Sequence, residues 1–247
     1  MIYNRDEYIF NGFLPRIYKD KMEPSKAYRN YYQTYIERDL RQLSNIRSLT
    51  RFEKFIHLLA GRIGQVINLN SLANDVGVSS TTLNEWLSVL EASFIIYRLK
   101  PYYENFGKRM VKTPKLYFTD IGLAAYLLGI NDISQVSRDP LIGNLFENLV
   151  VIEALKSRMN KGLDPNLFFY RDNNQHEVDL LYKKGRMLIP IEIKSALTYN
   201  ESLSKNIEYF QSLSGSTEGY LIYSGELEIK KSNISVMNFK NTQQIYD

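Results

Sequence analysis

The sequence contains no cysteine. That excludes disulfides and every cysteine-ligated zinc or iron–sulfur site. No run of eighteen apolar residues occurs, so a membrane-spanning helix is not expected. The N-terminal Met1-Ile2-Tyr3-Asn4-Arg5-Asp6-Glu7 is charged and has no apolar core segment, unlike a secretory signal. Together these absences lead to the expectation of a soluble cytoplasmic protein. The remaining composition is that of a globular chain, with 44% hydrophobic and 23% charged residues over 247 positions. This is enough chain for one large domain or two small ones.

The net charge of +4 is unevenly spread. Residues 1–130 carry 18 Lys/Arg against 12 Asp/Glu, and residues 131–247 carry 13 against 15. A basic half joined to a mildly acidic one points to different partners for each. The polar stretch Asn131–Pro140 reads as a loop, and the domain boundary is placed there, giving domains 1–130 and 131–247.

In the basic half, Tyr28, Tyr32, Tyr35, Ile36, Leu40 and Leu43 recur at helical spacing, which predicts a helix from about Tyr28 to Leu43. A tyrosine stripe of this period is read as core packing before base stacking. Three helices follow from Thr50. The first shows Phe52, Phe55, Ile56 and Leu59 on one face, and the second opens at Ser71 and ends at Gly77. The third is capped by Ser79 or Ser80 and buries Leu83, Trp86, Leu87 and Leu90. A short helix, a glycine turn and a second helix form the layout of a helix-turn-helix. Two extended runs, Phe94–Lys100 and Lys115–Thr119, flank a polar basic loop and complete a winged-helix pattern. Arg98, Lys108, Arg109 and Lys112 are its candidate nucleic-acid contacts, suited to phosphates rather than base edges. Against base reading, the free face of the third helix offers Thr82, Asn84, Glu85 and Ser88 and no cation. Docking of a protein partner is the competing use of this half.

The acidic half reads as a helix from Leu141 to Met159 followed by three strands, Leu167–Arg171, Glu177–Tyr182 and Met187–Lys194. A helix at about Ser202–Leu213 and strands at Tyr220–Tyr223 and Ile234–Phe239 complete a mixed sheet flanked by helices, and an α+β chain as a whole. Along the third strand, Ile189, Ile191 and Ile193 share one face, so Glu192 and Lys194 share the other. The preceding strand sets Asp179 opposite Val178 and Leu180, and antiparallel pairing brings it beside Glu192. Two carboxylates and an ammonium on apolar strands are costly unless paired or metal-bound. Such a pair suits Mg²⁺ or Mn²⁺, which could activate a water against a phosphodiester, with Lys194 assisting. Glu147, on the preceding helix, is a candidate outer ligand. His176 is read as a surface residue beside a turn.

The series Glu147, Asp179 and Glu192-Ile193-Lys194 resembles the motif of the PD-(D/E)xK nuclease superfamily. Over a longer span, the chain resembles the uncharacterised C-terminal module found behind AAA-type ATPase cores in bacteria and archaea. The residues that carry this are Tyr35-Ile36-Glu37-Arg38-Asp39-Leu40, Gly61-Arg62-Ile63-Gly64-Gln65, Asn105 with Lys108-Arg109, and Pro114–Leu123. The resemblance implies a restriction-endonuclease-like C-terminal domain, active or inactive, that uses Asp179, Glu192 and Lys194 with Mg²⁺ on nucleic acid such as DNA. It also implies an ATPase core as partner, which Arg38, Asp39 and Arg41 could serve. Oligomerisation is a further possible arrangement. No G-x-x-x-x-G-K-[ST] occurs, so no nucleotide site is expected in these residues. The alternative is a non-catalytic module that docks the ATPase core or another protein.

Overall fold

The computed structural model describes residues 4–35, 46, 48–103 and 111–246. It is an α+β chain in two compact units. Met1–Arg98 with Leu116–Asn148 form the first, and Leu99–Lys115 with Leu149–Asp247 form the second. The division therefore differs from a single cut after residue 130. Residues 131–148 group with the first unit, and 99–115 with the second. Backbone pairing explains the latter: Phe169 N–H donates to Lys100 O at 3.1 Å, Tyr102 N–H to Phe169 O at 2.8 Å, and Val111 N–H to Arg171 O at 3.2 Å.

The first unit opens with α1 (Arg5–Asn11), α2 (Pro15–Lys19) and α3 (Pro24–Tyr31). Prolines at the first turns of α2 and α3 start each helix, because their missing N–H has no partner to lose there. The predicted helix from Tyr28 therefore begins earlier, at Pro24, and continues as a π-type turn over 32–35. Residues 36–45, with Arg38, Asp39 and Arg41, lie outside the described residues. Tyr28 is a core residue, 1% exposed, and its Oη donates to Asp120 Oδ1 at 2.7 Å.

Helices α4 (Leu49–Ala60), α5 (Leu69–Val76) and α6 (Ser80–Ala92) follow. Ser48, Asn68 and Ser79 cap them by accepting the N–H of Arg51, Ser71 and Thr82. Helix α5 thus starts two residues before Ser71, because Asn68 supplies the cap. Gly77, at φ 81°, ends it in the left-handed region that a side chain disfavours. Trp86 packs on Phe52 and Phe55 at centroid distances of 5.3 and 5.4 Å, while Asn84, Glu85 and Ser88 stay exposed. Strands β1 (Ile96–Leu99) and β2 (Lys115–Phe118) form a two-stranded sheet. Helix α7 (Ile121–Leu127) follows. Within the segment expected to be a loop, the single-turn α8 (Ile133–Val136) forms because Asp132 and Gln135 make a capping box.

Helix α9 (Ile142–Met159) leads into the second unit, whose six-stranded sheet has the order β3-β4-β5-β6-β8-β7. Its strands are β3 (Leu167–Arg171), β4 (Glu177–Lys184), β5 (Met187–Lys194), β6 (Gly219–Tyr223), β7 (Ile229–Lys231) and β8 (Ile234–Asn238). The first three run antiparallel; β5, β6 and β8 are parallel, and β7 returns antiparallel. Strand β7 escaped the sequence reading because it is a three-residue edge strand with two exposed lysines, a composition that discourages further pairing. Helix α10 (Lys205–Ser214) joins β5 to β6. It packs close: a Cβ on Gly219 of β6 would stand 2.5 Å from Ile207 Cγ2. Among the described residues, no helix is long and apolar enough to cross a membrane.

Candidate functional site

Strand β4 is not regular where Asp179 sits. Phe168 pairs with Leu181, but Tyr170 pairs with Val178, so β4 carries one extra residue opposite Phe169. The extra residue falls at Asp179–Leu180 and makes a β-bulge, a device that re-aims a side chain. Strict alternation would send Val178 and Leu181 to opposite faces. Both instead join one core cluster with Tyr170, Leu188 and Phe210. This revises the simple alternation expected for β4.

The ladder between β4 and β5 runs out at Leu180–Ile191, whereas β5 stays paired with β6 as far as Lys194. The far end of β5 is therefore held on one side only, and the side chains of the candidate site occupy the other. Asp179 Oδ2 accepts the Ile193 backbone N–H at 2.9 Å. Lys194 Nζ donates to Asp179 Oδ2 at 3.3 Å and to Glu192 Oε1 at 2.5 Å. Asn206, in the first turn of α10, donates from Nδ2 to the same Glu192 oxygen at 3.0 Å. The structure thus brings Asp179, Glu192 and Lys194 together. It adds Asn206, which lies on a different element and carries no pattern of its own; its position in the first turn after β5 was the available signal.

Burial sets the electrostatics. Glu192 is 1% exposed, Asp179 8%, and the Lys194 side chain 33%. Loss of hydration, reinforced by the Asp179 charge, pushes the Glu192 carboxyl up to about 8, against the opposing pull of Lys194 and Asn206. Burial pulls the Lys194 ammonium down, but the two carboxylates outweigh it and hold it above its ordinary value. Glu192 Oε2 is buried and, among the described residues, has no hydrogen-bond partner. A buried carboxylate oxygen without a donor costs about 1–3 kcal/mol or more, which a proton or a cation there would offset.

The other candidates are placed differently. Glu147 belongs to the first unit, where its Oε1 accepts the Tyr117 hydroxyl at 2.6 Å. Beside it, a Cβ on Gly64 (φ +70°) would stand 3.1 Å from Asn144 Nδ2. Among the described residues, no group of three or more His, Asp or Glu side chains could hold a metal, so Asp179 and Glu192 stand as a pair. Arg98 is held by Glu91, with Nε 2.7 Å from Oε2. Lys112 is exposed in the second unit. Lys108 and Arg109 lie outside the described residues.

Comparison with known proteins adds a family. The profile described as a domain of unknown function (DUF8612) matches residues 3–134, more than half of the chain. This chain belongs to the DUF8612 family. A second domain of unknown function (DUF4143), of a kind commonly associated with AAA-type ATPases, matches residues 142–242 of this DUF8612 member. Uncharacterised proteins of Mycobacterium bovis and Mycobacterium tuberculosis are each 32% identical to it over 195 residues, covering 78% of this chain and 43% of theirs. An uncharacterised protein of Haemophilus influenzae is 22% identical over 204 residues, 80% of this chain and 47% of its own. The chain spans less than half the length of these curated relatives.

Proposed function

We propose that the second unit is a nuclease-like phosphodiesterase site dependent on a divalent cation. In this reading the whole chain is the C-terminal part of an AAA-type ATPase-family protein, and the winged-helix pattern, its helix-turn-helix in the first unit and its basic wing after β1, binds DNA. The observation that carries the proposal is the convergence of Asp179, Glu192 and Lys194, with one Glu192 oxygen left without a partner among the described residues. The donor set fits Mg²⁺ or Mn²⁺, hard cations that prefer carboxylate oxygens. Asp179 and Glu192 would hold the ion, and the ion would supply Lewis-acid polarisation of the phosphodiester. Lys194, fixed by both carboxylates and partly open to solvent, would orient the attacking water and stabilise the negative charge developing on the phosphoryl oxygens. Asn206 keeps Glu192 oriented by its hydrogen bond.

The test is cleavage of single- and double-stranded DNA and RNA in Mn²⁺. The parent chain should cut, and Asp179→Ala and Lys194→Ala should reduce the rate by about 10²-fold or more, the scale of losing one transition-state donor. A parent that cuts nothing, or variants as fast as the parent, would overturn the assignment.

A second reading is a non-catalytic module that docks an ATPase core or another copy of the chain. One observation favours it: Lys194 Nζ already lies 2.5 Å from Glu192 Oε1, on the side where a cation would be held. Absence of any Mn²⁺ binding at Asp179 would decide for this reading.

A further inference from the structure

His176, immediately before β4, is held by a buried carboxylate. Asp172 is 1% exposed, and its two oxygens lie 3.3 and 3.2 Å from His176 Nδ1. Asp172 Oδ1 also accepts the backbone N–H of Asn174 at 2.9 Å and of His176 at 3.0 Å. Tyr209 Oη, on α10, donates to Oδ2 at 3.1 Å, and Tyr170 Oη, on β3, lies 3.5 Å away. The imidazole lies flat on the Tyr209 ring, with centroids 4.1 Å apart and planes 13° apart. Such bracing is more than a turn-proximal surface histidine requires. It fixes Nδ1 as the donor to Asp172 and, among the described residues, leaves Nε2 without a partner, on a side chain 41% exposed.

The dyad also lies beside the carboxylate–lysine cluster. Tyr209 follows Asn206 by three residues of α10, about 4.5 Å along the helix axis. His176 precedes Asp179 by three residues of β4, about 10 Å of extended chain. A few nucleotides of one strand span that distance.

We propose that His176, braced by Asp172 and Tyr209, is an anion subsite that holds a phosphodiester group flanking the one at Asp179, Glu192 and Lys194. This rests on the nucleic-acid reading above. With a phosphate oxygen at Nε2 and Asp172 at Nδ1, both ring N–H groups donate to anions and the imidazolium is stabilised from both sides. The titratable and charged groups around the ring are Asp172 from the turn, Tyr209 from α10 and Tyr170 from β3. Arg171 and Glu177 flank it, and Glu177 is held by Lys115, Nζ–Oε1 at 2.5 Å, as well as by Arg171, Nε–Oε2 at 3.4 Å.

The experiment measures fluorescence anisotropy of a short labelled single-stranded DNA on the full chain. Ca²⁺ replaces the cutting cation, in mildly acidic buffer. His176→Phe keeps the ring on Tyr209 and removes Nε2. It should weaken binding by about tenfold and lower the slope of log affinity against log salt by about one, the loss of one phosphate contact. If His176→Phe fails to fold, by its circular dichroism melt, His176→Gln carries the same test. A variant with the parent's affinity and slope would overturn the subsite alone. A parent that binds no DNA even at low salt would overturn the nucleic-acid reading with it.

Discussion

Asp179 Oδ2 lies 2.9 Å from the backbone nitrogen of Ile193 and accepts its hydrogen. In a register that pairs Leu180 with Ile191, the next β5 N–H facing β4 is that of Ile193. The carboxylate thus stands in for the backbone acceptor that the bulge has displaced. The same oxygen receives Lys194, so one side chain both closes the sheet and builds the site.

Two substitutions separate those roles. Asp179→Ala leaves the Ile193 N–H buried without a partner and should cost about 1–3 kcal/mol in urea unfolding. Asp179→Asn retains an oxygen acceptor and should cost distinctly less, while still removing the charge that a cation needs. Equal destabilisation by both would show that the Ile193 bond does not matter.

Stability should fall as pH rises through the window set by Glu192. Its folded value, about 8, lies above the ordinary 4.5, so the folded chain binds more protons between those limits. The stabilisation is complete below about pH 4.5 and lost as pH passes 8. Lys194, raised by its partners, works outside that window: its contribution is present below the ordinary 10.5 and lost only at higher pH. Thermal melts from about pH 5 to 8 should therefore decline. Glu192→Gln, which has no proton to lose, should flatten the decline.

A cation that takes the place of the Glu192 proton should bind more tightly as pH rises towards 8. Mn²⁺ at about a hundred times its dissociation constant should stabilise the parent by about 2.7 kcal/mol. The shift in melting temperature should be larger near pH 8 than near pH 6 and absent in Asp179→Asn. A shift of the same size in that variant would place the ion elsewhere.

Asn148, fully buried in α9, accepts the Phe118 N–H at 2.7 Å and donates to Phe118 O at 2.9 Å. Its amide acts as a strand partner for β2. Asn148→Leu strands both backbone groups in the core and should cost about 2–6 kcal/mol, at about 1–3 kcal/mol for each buried unsatisfied group. A loss under about 0.5 kcal/mol, the range of ordinary surface substitutions, would refute this role.

Local spacing by itself determined a good part of the protein. The 3.6-residue period of Leu83, Trp86, Leu87 and Leu90 gives α6, and the alternation from Ile189 to Lys194 gives β5 and puts Glu192 with Lys194. Neither depends on distant chain, because each follows from how side chains leave a single helix or strand. Tertiary structure decided the rest. The extra residue in β4 depends on the register against β3, and the pairing of Lys100, Tyr102 and Val111 with β3 depends on chain that local periodicity does not link. Asn206 at Glu192 and Tyr209 beneath His176 depend on where α10 lands on the sheet. The physical reason is that register and packing are set by contacts between residues far apart in sequence, whereas a pattern of spacing describes one element at a time.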